Sequence, residues 1–97
     1  MRDERVFHIT IDVSNVKSNE DLHSLLKSSL NFPDFYGMNM SAFWDAITGL
    51  VEMPINLTFI GWDSLKELLP DVTATFEKTL EQYNDYYPHH ACNVTYS

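Results

Sequence analysis

Ninety-seven residues with 44% hydrophobic and 13% aromatic content form one domain, since domains run to about 100 to 200 residues, and this composition is too apolar for a disordered chain. Six Lys+Arg against fourteen Asp+Glu give a net charge of -8 and a pI near 4.6, which argues against binding phosphate backbones or anionic membranes and favours a basic partner. A single cysteine, Cys92, excludes an intramolecular disulfide; the charged start, Met1 to Arg5, lacks the apolar stretch of a secretory signal, and no run is long enough to span a membrane, so a soluble, cytoplasmic protein is expected.

In chain order, alternation of apolar and polar residues predicts a strand over Val6 to Asp12, with Phe7, Ile9 and Ile11 on one face. Ser18 and Asp21 form a capping-box pair ahead of a helix whose apolar face is Leu22, Leu25, Leu26 and Leu30, and Pro33 ends it. A second helix is predicted from Met40 to Thr48, with Met40, Phe43 and Ile47 as its stripe and Gly49 in the left-handed position past its end. The next strand is Ile55 to Ile60, with Ile55, Leu57 and Phe59 facing one way. One or two helical turns through Leu65, Leu68 and Leu69 follow. Pro70 suits the start of a fourth helix with the stripe Val72, Phe76, Leu80 and Tyr83, stopped by Pro88, and Ala91 to Tyr96 reads as the closing strand, with Cys92, Val94 and Tyr96 on one face.

Connections of roughly forty and thirty residues that contain helices suit parallel pairing with right-handed crossovers. The expected fold is therefore a small α/β domain spanning residues 1–97, with a three-stranded parallel sheet and about four helices lying mainly on one face. That arrangement leaves helix surface free to bind.

The second helix concentrates the candidate chemistry. At about 100° per residue, Trp44 lies at the margin of the apolar stripe, and Ser41, Asp45 and Thr48 come next around the cylinder. No Lys or Arg occurs between Lys27 and Lys66, so Asp34, Asp45, Glu52 and Asp63 have no nearby cation in sequence. On the fourth helix Glu77, Glu81 and Asp85 repeat at i, i+4 and i+8, a mildly repulsive spacing that a basic partner would relieve, although Lys78 sits among them. Between the first two helices, Phe35-Tyr36-Gly37-Met38-Asn39 offers two aromatic rings, a glycine with access to backbone conformations closed to other residues, and an Asn suited to a helix cap. The rings pack between helices, stand exposed, or divide those roles.

His89, His90 and Cys92 point in different directions on an extended segment, so neither a metal site nor a Cys/His nucleophile is expected, and no cofactor is implied. The chain has no Gly-rich phosphate loop, GxSxG elbow or HExxH helix, and no enzyme activity is expected.

From Asp21 to Gly49 the sequence resembles the barstar family of intracellular ribonuclease inhibitors. The match runs through Asp21-Leu22-His23, Leu25, Leu30, Pro33 and Phe35, then the pattern Tyr-Gly-x-Asn-x-x-Ala-x-Trp-Asp-Ala-x-Thr-Gly at Tyr36 to Gly49, and continues at Glu52 and Pro54. The resemblance implies an antitoxin or immunity protein that plugs the active site of a basic ribonuclease, one to one, with a carboxylate in the place of an RNA phosphate. Asp45 matches that acid; Trp44 packs alongside; Phe35, Gly37 and Asn39 match loop positions that contact the enzyme; Glu77 or Glu81 supplies a second acidic contact. The chain departs from the pattern at Phe35 in place of Tyr, at Ser41 in place of a second acid, at Leu50 in place of Trp, at Lys78 in the acidic position of the fourth helix, and in a longer stretch from Leu80 to His90. The alternative is a module of the same fold that binds a basic protein other than a nuclease.

Overall fold

A computed structural model describes residues 5–97; the charged start at positions 1–4 lies outside the described residues. The order is β1 (His8–Asp12), α1 (Asn19–Ser29), α2 (Met40–Gly49), β2 (Asn56–Ile60), α3 (Trp62–Leu68), α4 (Pro70–Tyr86), a 3-10 turn (Pro88–His90) and β3 (Asn93–Tyr96). The sheet is parallel in the order β1-β2-β3, as the long helical connections require. Register places Ile9 beside Leu57 and Val94, and Ile11 beside Phe59 and Tyr96, so the alternation read in the sequence aligns two apolar rows beneath the helices. The opposite face carries His8, Thr10, Asn56, Thr58, Asn93 and Thr95 and stays open to water. Its polarity makes a covering layer unnecessary, although parallel sheets are usually covered on both faces.

The helices close over the apolar rows through Leu22 and Leu26 of α1, Phe43 and Ile47 of α2, Leu65 of α3, and Phe76 and Leu80 of α4, all buried. The core extends further than the sequence reading placed it, because Trp62 is buried among Phe59, Phe76 and Tyr96. In α3 the buried positions are Trp62 and Leu65; Leu68, expected on the apolar stripe, is exposed.

Two terminal signals act differently from expectation. Ser18 caps α1 by accepting from Asp21 N at 3.1 Å, but the Asp21 carboxylate reaches back to Lys17 N rather than to the cap residue itself. Gly49 ends α2 inside the helix with Leu50 as its cap, so the left-handed glycine is not there. It is Gly61, at φ 79°, where a Cβ would lie 2.5 Å from Ser14 Oγ and 3.1 Å from Ser14 backbone atoms.

Candidate protein-binding surface

The loop before α2 is fixed from beneath and from its end. Asn39 is extended and caps α2, accepting from Ala42 N at 2.8 Å through Oδ1, while its Nδ2 donates to the Gly37 carbonyl at 3.1 Å. One side chain thereby fixes the start of the helix relative to the loop. Tyr36 points inward: its ring packs on Phe32 at 4.7 Å and its hydroxyl meets Nδ1 of the fully buried His23 at 2.6 Å. Burial holds the Tyr36 hydroxyl above its usual pKa and His23 below its own. His23 Nε2 has no hydrogen-bond partner, so a second proton on the imidazole would create a buried, uncompensated cation.

With Tyr36 anchored, the adjacent Phe35 projects outward at 76% exposure, so the two rings divide the inward and outward roles. Gly37 is exposed and does not adopt positive φ; Met38 takes the left-handed turn at φ 59° instead. At position 37 a larger residue would crowd Ala42, whose Cβ would lie 3.2 Å from an added Cβ.

On α2, Trp44 is half-buried and meets the exposed Tyr86 of α4 edge-to-face at 5.9 Å and 71°. Beside it, Met40, Ser41, Trp44 and Asp45 form a shallow recess with Thr79 and Gln82 of α4. Asp45 is exposed and makes no ion pair among the described residues. Folding does bring cations to other residues of the basic-free stretch: Lys27 Nζ donates to the backbone carbonyl of Asp34 at 3.3 Å, and Arg5 lines a cleft with Glu52. Asp45 lies apart from both.

The remaining sequence candidates sit elsewhere. Thr48 turns its hydroxyl back to the Trp44 carbonyl at 2.6 Å and lines the cleft shared by Arg5, Glu52 and His90 at the far end of α2. Glu77 is on the flank of α4 that faces α3: its Oε2 accepts from Trp62 Nε1 at 2.8 Å and lies 3.9 Å from Lys66 Nζ. Helical geometry puts Glu81 on that same flank, away from the Thr79, Gln82 and Tyr86 side that borders Asp45. The structure therefore gathers Trp44, Asp45 and Ser41 in one recess, with Asn39, Gly37 and Phe35 leading into the same helix, and leaves Glu77 and Glu81 outside it. Gln82, Thr79 and Tyr86 are the members that sequence reasoning missed. Their spacing marks one helical flank, but only the packing of α2 against α4 shows which neighbour that flank meets.

Cys92 is buried, and its thiol is pushed up to about 11 by desolvation, which leaves it protonated and unreactive at neutral pH. His89 and His90 are exposed in the 3-10 turn, and among the described residues no group of three His, Cys, Asp or Glu side chains is arranged to hold a metal. Nor, among those residues, is any helix long and apolar enough to cross a membrane.

The profile of a family described as "Barstar (barnase inhibitor)" matches residues 6–96. A curated relative, "Putative ribonuclease inhibitor YrdF" of Bacillus subtilis (strain 168), is 35% identical over 81 residues, covering 79% of this chain and 89% of the relative.

Proposed function

The chain belongs to the barstar family, a family of ribonuclease inhibitors rather than enzymes, and from that premise we propose that it inhibits a basic ribonuclease one to one by seating Asp45 where an RNA phosphate would bind. The observation that carries this reading is the state of Asp45: an exposed carboxylate beside Trp44 with no internal cation among the described residues. Such a group meets the Arg, Lys or His cluster of a phosphate site through charge-assisted hydrogen bonds. The loop supports it. Asn39 and the buried Tyr36 hold the backbone, so the exposed Phe35 and the Gly37 segment present contact area at low entropy cost. Ser41 adds a hydroxyl beside the carboxylate, and Thr48 braces the C-terminal half of α2. Glu77 and Glu81 contribute at longer range, through the negative field that steers a basic enzyme toward the surface. In the cell this activity makes the protein the antitoxin or immunity partner of a ribonuclease toxin, held in the cytoplasm with it.

The test is RNA cleavage by barnase, and by ribonuclease captured with the tagged protein, titrated with the wild-type chain and with Asp45→Ala. The wild type blocks cleavage of at least one of them at one equivalent. Removing one partner of a desolvated charge pair costs about 2 to 5 kcal/mol, so Asp45→Ala weakens inhibition roughly 30- to 4,000-fold. Unchanged inhibition by the variant would remove phosphate mimicry as the mechanism. Capture of a basic protein without nuclease activity, together with no inhibition of either ribonuclease, would favour the interaction-module alternative.

A further inference from the structure

The α4 residues that line the recess beside Asp45 are uncharged. Thr79 and Gln82 line the recess, Tyr86 stands over Trp44, and Glu77 turns toward α3 onto Trp62. Tyr86 is 71% exposed, yet its edge-to-face contact with Trp44 already restricts its orientation. An exposed ring held in place in advance is what a contact anchor needs, because little side-chain freedom is lost on binding.

We propose that Tyr86, with Gln82 beside it, forms the specificity-determining half of the inhibitor surface. It selects ribonucleases whose active-site rim, next to the basic phosphate site, offers an uncharged apolar or aromatic recess instead of a second basic patch. The proposal rests on the reading of Asp45 given above. The occupant follows from continuity, since the same recess holds Asp45 and Ser41 from α2 and Thr79 and Gln82 from α4, so an enzyme seated on the carboxylate must cover the α4 flank as well. It follows also from charge. One carboxylate serves the basic centre, and the α4 residues that line the recess beside it, Thr79 and Gln82, are uncharged.

The experiment compares Tyr86→Ala, Tyr86→Phe, Gln82→Glu and Asp45→Ala for affinity toward whichever of the two ribonucleases above the wild type inhibits more strongly, at low and physiological salt, with thermal unfolding as a check on the fold. Tyr86→Ala is expected to weaken binding about tenfold or more with the salt dependence unchanged, and Tyr86→Phe to restore most of it, as for an aromatic anchor. Gln82→Glu weakens binding too, because the added carboxylate is desolvated against an uncharged rim. If Asp45→Ala abolishes inhibition while Tyr86→Ala changes affinity less than twofold, or if Gln82→Glu tightens binding, the α4 proposal is wrong and the Asp45 reading stands. If Asp45→Ala has no effect, or neither ribonuclease is inhibited, both fall.

Discussion

Glu77→Ala separates a structural carboxylate from a binding one. The Trp62 indole is 2% exposed and sits among Phe59, Phe76 and Tyr96 at centroid distances of 5.0, 5.4 and 4.8 Å; its one polar atom donates to Glu77 Oε2 at 2.8 Å. Leaving a buried donor unpaired costs about 1 to 3 kcal/mol. The Glu77 side chain is 32% exposed, so water can reach part of the vacated site and the expected loss is about 1 to 2 kcal/mol. For a domain of this size that lowers Tm by roughly 4 to 16 °C. Lys66 stands 3.9 Å from the same oxygen but is 59% exposed, so Lys66→Ala should cost at most about 0.5 kcal/mol and serves as the control for charge alone. Thermal and urea unfolding followed by circular dichroism measure stability, and titration against the inhibited ribonuclease measures affinity. The expected pattern is a clear loss of stability with affinity changed less than about threefold. Unchanged stability with a tenfold or greater loss of affinity would refute the assignment, since Glu77 would then be facing the enzyme and not Trp62.

Two further outcomes follow from the fold. Gly61→Ala places a Cβ in a left-handed residue 3.1 Å from Ser14 backbone atoms and should destabilise by about 2 to 4 kcal/mol; a loss under about 0.5 kcal/mol in urea unfolding would show that the turn shifts freely. Because burial holds His23 below its usual value of 6.5, the unfolded chain takes up the proton first, so His23's contribution is complete above about pH 6.5 and stability falls as the pH drops below it. The wild-type urea midpoint should therefore decrease between pH 7.5 and 5.5 more steeply than that of His23→Gln, and parallel curves would contradict the buried, neutral imidazole.

The sequence carried the layered plan because its signals were local. Strand alternation in Ile9, Leu57 and Val94, the Ser18 and Asn39 caps and the Pro70 start each depend on a few neighbouring residues, and each appears in the structure. What required the structure was contact between segments distant in the chain. At Gly61 an added Cβ would run into Ser14, and at Gly37 it would crowd Ala42; neither contact is written in the local pattern. Glu77, Glu81 and Asp85 looked like one acidic row, but packing turns Glu77 onto Trp62 and leaves the other flank of α4, with Gln82 and Tyr86, beside Asp45. For the candidate surface, α2 itself was legible from helical spacing, whereas its wall from α4 was not, because periodicity gives the flanks of a helix without saying what each one meets.

This division changes what the net charge of -8 means physically. Several of the acids are engaged within the fold: Asp12 accepts from Ser14, which lowers its pKa; Asp21 accepts from Lys17 N; Glu77 accepts from Trp62. Exposed acids away from the recess act mainly through a screened field, so their removal should slow association in low salt and matter little at physiological ionic strength. Asp45 is different in kind. It sits beside Trp44 in the recess between α2 and α4, where a bound protein would exclude water and make its ion pairs strong. Its removal should act on dissociation, and salt should not hide the effect. On the proposed mechanism, two domains of equal net charge would differ completely as inhibitors, because the number of acids would set how fast a basic enzyme arrives and the placement of Asp45 how long it stays.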